Sequence, residues 1–165
     1  MLLYLMRHGL AEEPTPNGDD GARRLTPAGV DKIRKAAGGL RSAGFAIEMI
    51  LSSPIMRARE TAELVAREFE RLKPRIVPEL TTGASPAGAL EALAKLQLPE
   101  SVMAIGHEPT LSRLASLMLS GSSESIDLKL KPGGVIALEF GDRIGKGAAK
   151  LRWMMTQRQL RLLRK

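Results

Sequence analysis

The chain has 165 residues and a net charge of +7, with 44% hydrophobic and 26% charged residues, enough to build the core of one domain spanning 1–165 without staples. It has no cysteine, which excludes disulfides, a thiolate nucleophile and cysteine-held zinc. No apolar run approaches the ~18 residues of a membrane span, and the N-terminal run is too short and lacks the basic flank of a signal peptide, so a cytoplasmic protein with no membrane partner is expected.

Leu2 to Met6 is a short apolar run that stops at Arg7-His8-Gly9, which reads as a buried strand delivering a histidine where strand becomes loop. Open α/β sheets bind ligands at such strand ends. Gly9 to Leu25, rich in Pro, Gly, Asp and Glu, is the one long irregular stretch, of a length that suits a lid or binding loop. Thr26-Pro27 caps a helix carrying Val30, Ile33, Ala37 and Leu40, which ends by Gly44. A strand over Ile47 to Leu51 follows. Ser53-Pro54 then restarts a helix with Arg57 in its first turn and Ile55, Ala58, Ala62, Val65 and Phe69 on one face.

Arg75 to Val77 reads as an edge strand limited by Pro78, and Ser85-Pro86 opens a helix with Ala89, Leu90, Leu93 and Leu96. Ser101 to Ile105 repeats the opening grammar, an apolar run closed by Gly106-His107-Glu108, and Pro109-Thr110 leads into a helix ending at Gly121. Both histidines of the chain therefore fall at strand ends. Val135 to Phe140 and Lys150 to Met155 complete the strands, the last two antiparallel across the turn at Gly141 to Gly147. Strands alternating with helices predict a three-layer α/β sandwich, a mostly parallel central sheet with helices on both faces. Eight of the 25 basic residues and none of the 18 acidic ones lie from Arg143 to Lys165, leaving 17 basic against 18 acidic before them. The basicity thus belongs to the C-terminal end, read as a solvated segment, and argues against a nucleic-acid partner.

Arg7, Arg57 and His107, brought together with helix N-termini, would make a cradle for a phosphoryl group. His8 would then be a nucleophile, attacking phosphorus in its neutral form, which neighbouring arginines favour. Its second ring nitrogen would donate to a carbonyl, and a protonated His107 would hold a phosphoryl oxygen. No metal or cofactor is required. The bland readings are a satisfied structural histidine, a solvated Arg57 and a polar loop for Glu12, Glu13, Asp19 and Asp20. The phosphate-loop, nucleophile-elbow, dinucleotide and zincin motifs are all absent.

Leu5-Met6-Arg7-His8-Gly9, Leu25-Thr26-Pro27-Ala28-Gly29, Leu51 to Ala62 with its S-P-x-x-R-A-x-x-T pattern, Pro78-Glu79-Leu80 and Ile105-Gly106-His107-Glu108-Pro109 together resemble the histidine phosphatase (phosphoglycerate mutase-like) superfamily. The chain is most similar to its short phosphohistidine phosphatases of the SixA type. The resemblance implies a phosphoglycerate mutase-like fold and a metal-independent phosphatase in which His8 is phosphorylated during turnover and Arg7, Arg57 and His107 bind phosphate. It also implies an open site, since the interval in which larger relatives insert a cap is minimal here, with a phosphohistidine domain of a signalling protein as partner. Many relatives carry an acid in a segment after the second conserved arginine, for which Glu79 is the nearest candidate. Leu10-Ala11 stands where mutases and sugar phosphatases often carry polar residues, which argues against their substrates. The alternatives are a phosphatase of small phosphate esters and a non-catalytic module binding phosphate or polyanions.

Overall fold

The structure, a computed structural model, describes all 165 residues. Strands β1 (Leu2–Arg7), β2 (Met49–Ser52), β3 (Arg75–Ile76), β4 (Ser101–Gly106), β5 (Val135–Phe140) and β6 (Ala149–Met155) form one sheet in the order β3-β2-β4-β1-β5-β6. The pairs β3–β2, β2–β4 and β4–β1 are parallel, while β5 runs antiparallel to both β1 and β6. Only β5 opposes the common direction.

Side chains alternate across the sheet as a pleated strand requires. Tyr4 and Met6 of β1 and Met103 and Ile105 of β4 pack with helices α1 (Pro27–Ser42), α2 (Met56–Glu68) and α5 (Gln157–Leu162). Leu3, Leu5, Val102 and Ala104 face the other way, against α3 (Pro86–Ala94) and α4 (Thr110–Ser120). Each face thus has its own core, and burying each large aliphatic side chain contributes about 2 kcal/mol. This is the expected three-layer α/β sandwich, a mostly parallel sheet with helices on both faces. No helix is long and apolar enough to cross a membrane.

The caps are local chemistry. Thr26 and Ser85 each accept the backbone N–H three residues on, Gly29 and Gly88, with proline at the next position, and α4 stops at Gly121, whose φ of 85° is left-handed. Two expectations change. The helix expected to be capped by Ser53 begins at Met56 with no side-chain cap; Ser53 Oγ accepts the Ile55 N–H at 3.3 Å, just outside the helix, and also bonds His107. The C-terminal end keeps its basic side chains in solvent but is not a free tail: β6 completes the sheet, and Thr156 and Gln159 form a capping box that starts α5. Leu160 of α5 is fully buried on α1. Gly39 permits this approach, since a Cβ there would lie 1.9 Å from the Leu160 carbonyl oxygen.

Candidate active site

The sheet order places the site. From β1 the chain leaves through α1 toward β2, whereas from β4 it leaves through α4 toward β5, on the opposite face and the other side of β1. The C-terminal ends of β1 and β4 therefore flank the crevice in which open α/β sheets take ligands. Parallel pairing puts Arg7 opposite Gly106, so the next residues, His8 and His107, are neighbours. Their ring centroids lie 5.0 Å apart. β2 runs beside β4, and the helix that follows it brings Arg57 to the same end.

The His8 ring is held at both nitrogens. Nδ1 lies 2.7 Å from the Gly9 carbonyl oxygen, which only accepts, so Nδ1 carries the hydrogen and Nε2 keeps its lone pair. That lone pair accepts from Arg57 Nε at 3.3 Å. Burial lowers the His8 pKa to about 4, with Arg57, Arg7 and Arg23 adding to the effect. The imidazole is therefore neutral, as an attacking nitrogen must be.

His107 is buried, and its pKa is lowered to about 3, first by burial, then by His8, Arg57 and Arg7. His107 is therefore neutral here, since the opposing pull of the Asp20 carboxylate is outweighed by burial and the surrounding positive charge. Its Nε2 lies 2.8 Å from Ser53 Oγ, and its buried Nδ1 has no hydrogen-bond partner. The Ser53 hydroxyl can donate to Nε2 or accept from it, and the tautomer in which it donates leaves Nδ1–H as an uncommitted donor for a phosphoryl oxygen.

Arg57 is 4% exposed as a residue. Its two terminal nitrogens donate to Asp20, one to the backbone carbonyl at 2.7 Å and one to Oδ2 at 3.0 Å. Arg7 donates to the Leu130 carbonyl at 3.0 Å and retains a buried Nε without a partner. The structure thus brings Arg7, His8, Arg57 and His107 into one crevice. Glu79 lies apart from this hydrogen-bonded group: it sits exposed in the 3-10 turn Pro78–Leu80 and makes no side-chain hydrogen bond or ion pair. No group of three or more His, Cys, Asp or Glu side chains is placed to hold a metal ion.

Three supporting residues were assigned no part in the site by the sequence. Thr61, one turn after Arg57, donates to the Arg57 carbonyl and accepts the Gly9 N–H at 3.1 Å, tying the His8 loop to α2. Its spacing was the available signal, since Ser and Thr bond back to the i−4 carbonyl. Ser53 orients His107, a role that its position in a capping-type sequence concealed. Asp20 was one of four acidic residues in a loop, with nothing local to single it out.

The model of the histidine phosphatase superfamily (branch 1) matches residues 3–82. The chain is 36% identical to an uncharacterized protein of Picosynechococcus, SYNPCC7002_A2622, over 86% of each. It is 30% identical to the phosphohistidine phosphatase SixA of Escherichia coli K12, over 74% of this chain and 77% of that protein. A solved structure of the protein histidine phosphatase SixA complexed with tungstate superposes with a TM-score of 0.79 at 26% identity, covering 97% of this chain and 99% of that one.

Proposed function

Because the chain belongs to the histidine phosphatase superfamily, branch 1, we propose that it is a phosphatase that works through a phosphohistidine at His8 and removes phosphate from phosphohistidine in a signalling protein. The observation that carries this reading is the His8 ring itself. Its tautomer is fixed by Gly9, and its lone-pair nitrogen faces the arginine that would hold the phosphoryl group. In the first step the Nε2 lone pair forms a bond to phosphorus as the bond to the leaving atom breaks, and that atom departs with the electron pair. Water then attacks phosphorus, the pair returns to Nε2, and inorganic phosphate leaves. Arg7 and Arg57 neutralise the equatorial oxygens. An entering dianion opposes the burial and the positive field that together keep His107 neutral, so His107 can take a proton and bind an oxygen as an ion.

The phosphohistidine reading draws support from the demands of the leaving group. A ring nitrogen leaves from phosphorus with far less help from an acid than an alkoxide needs, and no carboxyl group is hydrogen-bonded to His8 or His107. Glu79 is the acid proposed for an alkyl ester. Support for a protein substrate comes from the short interval between α2 and β4, which holds only a two-residue strand, a 3-10 turn and α3, and from the half-exposed Leu10 at the mouth. The test compares kcat/KM for phosphoramidate, a phosphohistidine-bearing domain and an alkyl phosphate. The two P–N substrates are expected to be turned over at least about 100-fold faster, the scale of a general acid's contribution. Equal rates on the alkyl ester would overturn the phosphohistidine reading in favour of small phosphate esters.

A further inference from the structure

The loop Gly9–Leu25 is fastened at its neck and free at its tip. Ala11 bridges Leu25, Glu12 and Arg24 bond through backbone and side chain, and Arg24 and the Leu25 N–H are held by Glu60 of α2. Residues 13–19 are exposed and make only local turn bonds. Beyond them the chain returns to the crevice and sets Asp20 on Arg57. The Asp20 carbonyl and one carboxylate oxygen take both terminal nitrogens of that guanidinium, and the other carboxylate oxygen accepts from Arg23 at 2.7 Å. Arg23 in turn is anchored to the neck by its bond to the Glu12 carbonyl.

The two ends of the Asp20–Arg57 contact differ sharply. The Arg57 side chain is 5% exposed, whereas that of Asp20 is 53% exposed. A half-exposed carboxylate leaves such a contact at little cost, but a buried guanidinium needs an acceptor at all times. Only an incoming anion with the same fork-matching oxygens can relieve Asp20 of that role. Released from Arg57, the carboxylate keeps its bond to Arg23, so it has a second place to rest within the same loop.

The geometry points to Asp20 as a plug of the phosphate pocket, an internal carboxylate that the substrate's phosphoryl group must displace from Arg57. This rests on the reading of the crevice as a phosphate site. The apparent affinity for every anion is lowered by the fraction of molecules in which the plug is seated, and the return of Asp20 assists departure of inorganic phosphate.

The test is calorimetric titration of the full chain with inorganic phosphate at fixed ionic strength. Asp20→Ala is expected to bind phosphate about ten-fold more tightly than the unaltered protein, the effect of removing one charge-assisted competitor. Asp20→Asn, which keeps the shape without the charge, should show a smaller gain and carries the same expectation if the alanine variant does not fold. Unchanged or weaker binding in the folded variants would overturn the inference, since it would make Asp20 a positioning residue for Arg57 or a mere surface ion pair. Binding alone is measured. A protein that shows the expected gain yet hydrolyses no phosphohistidine would refute the proposed reaction and leave the plug standing, whereas flat affinities with intact turnover would do the reverse.

Discussion

At the scale of residues, two buried imidazoles 5.0 Å apart beside arginines govern how this protein responds to acid. Both pKa values lie below the ordinary 6.5, at about 4 for His8 and about 3 for His107. Between pH 6.5 and these values the unfolded chain binds the protons more readily, so stability is full above 6.5 and falls as pH drops through that window. Urea midpoints at pH 7.5 and pH 5 should therefore differ, and the drop should be smaller in His107→Gln; an equal drop would show that the ring titrates as if exposed. In Arg57→Ala the fold should persist, because Asp20 simply returns to water and Arg23. The variant should lose at least about 100-fold in kcat/KM, in keeping with the removal of a group that neutralises transition-state charge. Circular dichroism alongside the kinetics separates this from unfolding, which would make Arg57 structural.

At the scale of elements, α5 is held by one anchor. Leu160→Ala should cost about 2–5 kcal/mol in urea denaturation, as for other buried leucines, while leaving kcat little changed because Leu160 packs on α1 beside Gly39 and not on the crevice residues. A change under about 0.5 kcal/mol would mean that the helix is not docked in solution. This element also shows where sequence reading stopped. Thr26, Ser85, the runs ending at Gly9 and Gly106, and the stripe from Ala58 to Phe69 declare their elements through local spacing, and so does the pairing of both histidines with strand ends. The short α5 has a single buried side chain among arginines, so its composition resembles a solvated tail and only the groove at Gly39 reveals its place. Ser53 and Asp20 were hidden for a related reason: each has a local reading, as cap or loop acid, and acquires its partner from chain 54 and 37 positions away.

At the scale of the whole molecule, the sheet explains why so few residues are needed. Parallel pairing of β1 with β4 aligns the two histidines, the divergence of their crossovers opens the crevice between them, and β2 supplies Arg57 from the next position. The basic residues after Arg143 decorate β6, α5 and their flanks, at the sheet edge remote from β2, so the positive charge of the site comes from its own arginines. Covalent phosphorylation of His8 is tested by rapid quenching after exposure to phosphoramidate, followed by peptide mass spectrometry. An acid-labile, alkali-stable phosphate is expected on the peptide containing His8, absent from His8→Ala. Turnover by the unaltered protein with no such peptide, and undiminished turnover by His8→Ala, would contradict it.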